Sequence, residues 1–163
     1  MLAGALYAHG WARLRRRGRP DLASWRQAAM FGAGLAICVV ALLSPLDPAG
    51  EEYLLSAHML QHVLLADVGP LLLVLGLLGP VTLFVVPGPL LRAVARRPSL
   101  RAAVRAVTTP AVAVTLWITV MAAWHLPQAF EYALANRWAH DLEHASMFTA
   151  GFLVWLTIAG AVP

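Results

Sequence analysis

The sequence predicts an all-α protein, a polytopic bundle of transmembrane helices with about four full spans and a partial one at the N-terminus. Three observations predict it. First, 60% of the 163 residues are apolar and only 12% are charged, with a mean hydropathy of +0.71. A soluble domain carries roughly 45–50% apolar and about 25% charged residues, so there is too little charge to coat a soluble globule. A disordered chain needs the opposite balance. Second, four stretches approach the roughly 20 apolar residues that cross a bilayer as a helix. Third, the 12 basic residues are all Arg and fall in two clusters, Arg13 to Arg26 and Arg92 to Arg105, leaving only Arg137 outside. Lys and Arg accumulate in cytoplasmic loops, so the formal charge of +4 reads as a topology signal and not as a nucleic-acid footprint.

The elements follow in order along a single membrane domain, residues 1–163. Met1 to Trp11 is apolar and too short to cross alone; it reads as the end of a further span. An Arg-rich cytoplasmic loop, residues 12–26, comes next. The first full span covers about residues 27–46, without charge. The segment from Ser44 to Glu52 carries Asp47, Glu51 and Glu52 and no Arg, so it faces outward. The second span covers about residues 53–78 and is interrupted by Asp67 and Pro70. Tyr53 to Leu91 is long enough for one kinked span or two short ones. One span puts both Arg clusters on the same side, which favours it. Gly79-Pro80 and Pro87-Gly88-Pro89 then mark its end and a short segment near the inner surface. A second Arg-rich cytoplasmic loop covers residues 87–105. The third span covers about residues 106–125, and the fourth about residues 138–161, with Asp141 and Glu143 in its first turns. Between them Pro127 suits the first turn of a short surface helix. Both chain ends read as truncated. Cys38, the one cysteine, excludes an intrachain disulfide.

This orientation, derived from Arg alone, places five of the six histidines near the outer face. His58 and His62 open the second span, His125 closes the third, and His140 and His144 open the fourth. Two pairs stand at i, i+4 and share a helix face, the spacing by which two imidazoles reach one ion. Polar residues inside a span usually face the bundle interior. Three helices can therefore aim five imidazoles at one outward-facing cavity, and imidazole suits copper, zinc, iron and nickel. Met59, Met121 and Met147 each lie three or four residues from a histidine. Thioether with imidazole favours Cu(I), although Met is also a common filler of apolar helices. Glu143 and Asp141 suit either the orienting of imidazoles or a helix N-terminus. Asp67 lies about 140° around the helix from His62, so it does not share that face, and its role stays open, as does that of Gln61. No Walker loop, Rossmann fingerprint, G-x-S-x-G, H-E-x-x-H or C-x-x-C is present, so no catalytic residues are expected.

The run Ser44-Pro-Leu-Asp47, followed by Ser56-Ala-His-Met-Leu-Gln-His62, resembles the CtaG family of cytochrome c oxidase assembly factors, the type associated with the caa3 oxidase. Pro70 to Gly76 looks like the continuation of that helix. Trp124-His-Leu-Pro127 looks like the family's W-H-x-P motif, and His140-Asp-Leu-Glu-His144 resembles its H-x-x-E-H motif. The resemblance covers about residues 13–161. It implies that His58, His62, His125, His140 and His144 are the family's characteristic histidines, accompanied by Met59, Gln61, Trp124 and Glu143. It also implies a multi-pass protein of the bacterial plasma membrane with a role at a copper centre. Its partners would be the lipid bilayer and oxidase subunits or other assembly factors, with no nucleic acid. Family members usually have a full span before the Arg-rich loop and about two more spans at the other end.

Three functions compete at this level. The first is a non-enzymatic assembly factor that holds or passes copper, with His58, His62, His125, His140 and His144 as ligands and Met59, Met121, Met147 and Glu143 as accessories. The second is a b-type haem electron-transfer protein, with His62 and His144, or His58 and His140, as axial pairs. The third is a small transporter or proton relay through Asp67, Gln61 and the histidines. The metal, the client subunit and the oligomeric state are not legible in the sequence.

Overall fold

The computed structural model describes residues 2–160, with the main chain alone at residues 51 and 52. Met1, the last residue of the expected fourth span and the side chains of Glu51 and Glu52 lie outside the described residues. Every regular element among the described residues is helical. In chain order these are α1 (Leu2–Arg16), a 3-10 turn (Pro20–Leu22), α2 (Trp25–Leu43), α3 (Leu46–Glu52) and α4 (Leu55–Val63). A π-helical turn (Leu64–Val68) joins α4 to α5 (Gly69–Gly76). Then come α6 (Val81–Val85), α7 (Gly88–Arg96), α8 (Pro98–Val107), α9 (Pro110–Trp124), α10 (Pro127–Ala135) and α11 (Arg137–Ile158).

Local chemistry sets several of these boundaries. Ser24 caps α2: its hydroxyl accepts from the Gln27 N–H at 3.2 Å, and its own N–H donates to the Gln27 side chain at 3.0 Å, a reciprocal capping box. Gln27 Nε2 also donates to the Leu78 carbonyl at 2.8 Å. One residue thus starts α2 and ties it to the end of α5. Proline stands in the first turn of α7, α8, α9 and α10, where its missing N–H costs no hydrogen bond. The Arg-rich segments are more ordered than the sequence suggests. α1 runs through Arg13, Arg15 and Arg16, and residues 88–107 form two exposed helices with apolar and Arg residues on opposite faces.

The π turn has a cause in Pro70. A proline removes the N–H that would pair with the carbonyl four residues earlier, and its ring crowds that carbonyl. The turn before it widens, and the Gly69 N–H reaches back to the Leu64 carbonyl, five residues away. The freed Ala66 carbonyl points at α11, where only Gly151 admits it: a Cβ there would overlap Ala66 O. On the other side of α5, Gly34, Gly69 and Gly76 leave the same kind of room for close packing with α2. Small residues at such positions let helix backbones approach closely in a membrane bundle.

The contacts fix directions. α2 runs antiparallel to α4–α5, since Gln27 meets Leu78 and Ala41 meets Gln61. α11 runs parallel to α4–α5, since His144 meets His62 and Gly151 meets Ala66. α9 returns antiparallel to α11, its last residue Trp124 donating to Ser146 Oγ at 2.9 Å. The bundle has two unlike ends. At one, Tyr7, Leu14, Ala23, Phe31, Leu73 and Val81 form an apolar core; Tyr7 stacks on Phe31 with ring centres 3.9 Å apart, and its hydroxyl donates to the Gly76 carbonyl at 3.1 Å. The other end carries the histidines.

Among the described residues two helices are long and apolar enough to cross a membrane, Pro20–Leu43 and Leu55–Gly76. α8 and α9 supply a third if the pair, bent by 63°, is one span. α11 has 22 residues, about 33 Å of helix. Its first two turns hold His140, Asp141, Glu143 and His144, so its apolar run is short. Length and apolarity alone therefore do not reach the expected four spans. Val39, Val40, Leu42 and Leu43 on α2 and Leu116 and Ile118 on α9 stay exposed, an apolar surface of the kind that meets lipid.

Gly151→Val is expected to unfold the packing of α11 on the π turn, seen as loss of a monodisperse species in detergent. Gly32→Ala, where an added Cβ meets nothing within 4 Å, is expected to change stability by no more than about 1 kcal/mol in a thermal unfolding scan.

Candidate metal centre

Four imidazoles and one carboxylate converge between α4 and α11. His58 and Glu143 have no exposed surface, and His62, His140 and His144 are between 3% and 5% exposed. The rings touch in a chain. His58 and His62 are 4.2 Å apart between centres on α4, and His140 and His144 are 4.1 Å apart on α11. Across the helices, His62 lies 5.3 Å from His144 and His58 lies 5.5 Å from His140. His62 Nε2 stands 3.6 Å from Glu143 Oε1, at ion-pair distance and beyond a hydrogen bond.

The site is closed over by short elements. Gly50 of α3 packs on the His58 backbone, where a Cβ would come within 2.9 Å. Phe130 of α10 stands edge-on to the His58 ring, 5.5 Å between centres. Gln61, fully buried, donates from Nε2 to the Ala41 carbonyl at 2.9 Å and to Asp47 Oδ1 at 2.5 Å. It thereby ties α4 to the end of α2 and aims the Asp47 carboxylate inward.

His125 differs from the other four. It is exposed, its ring lies 6.0 Å from that of His62, and its Nδ1 is 2.7 Å from the Met121 carbonyl. A carbonyl only accepts, so Nδ1 carries the proton and Nε2 keeps a lone pair, the arrangement that prepares an imidazole as a ligand. Met121 thus contributes through its main chain. Met147 is fully buried, while Met59 and Met121 are half-buried. His9, the sixth histidine, is exposed on α1, away from the cluster.

Four of the five histidines expected from the sequence come together with Glu143, and the fifth, His125, stands exposed at the rim. Asp47 and Phe130 were not among the expected ligands or neighbours. Asp47 read as one of several acids in an outward loop, and nothing in its spacing from His58 marks it as a neighbour. Asp67 lies in the π turn, half-buried and outside the cluster.

Buried polar atoms ordinarily have partners. Here both ring nitrogens of His58 and of His62, Nε2 of His144 and both carboxylate oxygens of Glu143 have no hydrogen-bond partner among the described residues. One donor atom from each of His58, His62 and Glu143 lies within 4.8 Å of the other two, and the same holds for Asp47, His140 and His144. Such a donor set fits a first-row transition metal: imidazole nitrogen and carboxylate oxygen bind at about 2.0–2.2 Å.

Apolar helices long enough to cross a membrane and a buried imidazole–carboxylate centre at one end define an α-helical membrane protein with a candidate metal site. The chain belongs to the cytochrome c oxidase caa3 assembly factor family, Caa3_CtaG, which matches residues 5–163. Neither the comparison with curated proteins nor that with solved structures gives a match.

Gln61→Leu is expected to strand the Ala41 carbonyl and release Asp47, costing about 1–3 kcal/mol, read as a lower thermal unfolding midpoint of the purified protein.

Proposed function

We propose that this chain is a multi-pass protein of the bacterial plasma membrane that holds copper at its extracytoplasmic face for cytochrome c oxidase assembly. The observation that carries this reading is the buried cluster itself. Four imidazoles and a carboxylate are buried in an apolar bundle, and among the described residues the ring nitrogens of His58 and His62, Nε2 of His144 and the carboxylate of Glu143 have no hydrogen-bond partner, an arrangement whose desolvation cost a bound ion offsets. Membership of an oxidase assembly factor family supplies the client. The resemblance to that family implies a copper centre, and imidazole suits copper.

In this reading α2, α4–α5, α9 and α11 are the four spans, with α8 at the cytoplasmic surface before α9. The Arg-bearing segments lie on the cytoplasmic side, and the histidine end faces outward. His58, His62, His140 and His144 ligate the ion, and His125, exposed at the rim, is the first or last imidazole it meets. The action is reversible ligation and needs no catalytic residue. A proton or ion path through the bundle finds little support below the cluster. The cleft of about 750 Å³ that Asp141 and His144 line is otherwise lined mostly by apolar side chains such as Leu35, Leu73, Phe148 and Phe152, with Thr149 and Cys38 among them, a poor relay for a proton.

The test is metal and haem content of the detergent-purified protein after loading with copper under reducing and non-reducing conditions. The parent is expected to retain copper, and a His58→Ala/His62→Ala/His144→Ala variant to lose it and to fail to restore oxidase activity in a strain lacking the factor. A Soret band in the parent would move the site to haem. Absence of both copper and haem would overturn the ligation reading.

A further inference from the structure

We propose that the cluster is two adjacent metal sites, each built from two histidines and one carboxylate. The inference rests on the copper-holding reading and deepens it. The same plan appears twice. On α4, His58 and His62 share a face and Glu143 of α11 completes the set. On α11, His140 and His144 share a face and Asp47 of α3 completes the set. In each, the three donor atoms lie within 4.8 Å of one another.

Donor number argues against a single ion. A first-row ion in an N/O site of this kind takes about four ligands, whereas six inward side chains converge here, with His125 as a seventh at the rim. The imidazole rings also pair more closely along each helix than across the gap. Rings on one helix are 4.1 to 4.2 Å apart, while rings on facing helices are 5.3 to 6.2 Å apart. The two sets are therefore neighbours, close enough for two bound ions to interact.

The donor type selects the ion. Two imidazoles and a carboxylate leave positions open for further ligands and match borderline divalent ions. Thioethers draw Cu(I), whereas each set consists of imidazoles and a carboxylate. Cu(II) is the form the paired sites take. Gln61 is a positioning residue for the second set, through its bond to Asp47, although it stands on the helix of the first.

The experiment is a Cu(II) titration of the full chain in detergent or nanodiscs, with copper measured by elemental analysis and by integrated electron paramagnetic resonance. The parent is expected to bind two equivalents, with integrated signal below its copper content because the two ions couple. Asp47→Asn/His140→Ala and His58→Ala/Glu143→Gln are each expected to bind one equivalent with full signal. Where a paired variant does not yield a monodisperse helical species, Asp47→Asn and Glu143→Gln alone are expected to weaken one of the two equivalents ten-fold or more. One equivalent in the parent, with uncoupled signal and lost in both variants, would overturn the two-site assignment while leaving the copper-holding function standing. No copper in any oxidation state would overturn both.

Discussion

The distance between two parallel helices governs this protein, and one contact sets it. The Ala66 carbonyl, released by Pro70, lies against Gly151 with no room for a side chain between. That contact is about two turns from His144 on α11 and about one turn from His62 on the other helix, so the α4 and α11 axes are already close when they reach the cluster. The facing rings of His62 and His144 can then stand 5.3 Å apart. A Cβ at residue 151 pushes the axes apart, and ligands paired across the gap separate with them. The geometry of the candidate site therefore depends on helix packing as well as on side-chain identity.

The bundle divides its labour between its ends. At the Arg-bearing end, Tyr7, Phe31 and Leu73 pack as an apolar core, and the Gln27 and Tyr7 hydrogen bonds pin α2 and α1 to the end of α5. At the other end the interior is polar and would be unstable if open to lipid. It is enclosed by α3 and α10, two short helices that neither cross the membrane nor leave the site. They bring Gly50 against the His58 backbone and Phe130 against its ring. An apolar base therefore carries a polar chamber closed by short helices, which suits the reversible ligation proposed above.

Much of this was legible in the residues. The i, i+4 pairs, the apolar runs and the Arg clusters each express one local rule, and each needs only a short window of sequence. The helix opened by Pro127 was legible for the same reason. The span count was less so, because the histidines and acids that make the site also shorten the apolar run of α11. Asp47 was hidden because its approach to His144 depends on how α3 folds back and on the bond from Gln61, neither of which has a periodic signature. Phe130 was hidden likewise: an aromatic in a surface helix says nothing of the ring it will meet.

The π turn at Leu64–Val68 has a consequence for register. In an unbroken α-helix, residues seven apart lie on nearly one face, so His62 and Gly69 would point the same way. The extra residue in the π turn rotates everything after it by about 100°. His62 therefore looks to α9 and α11 while Gly69 looks to Cys38 and Gly34 on α2. Gln61 and Gly69, which an α-helix would set apart, both come to face α2. A single helix thus serves two partners in succession, ligands toward one and close packing toward the other. Removing one residue from that turn would leave the composition intact and send the lower half of the helix to the wrong neighbour.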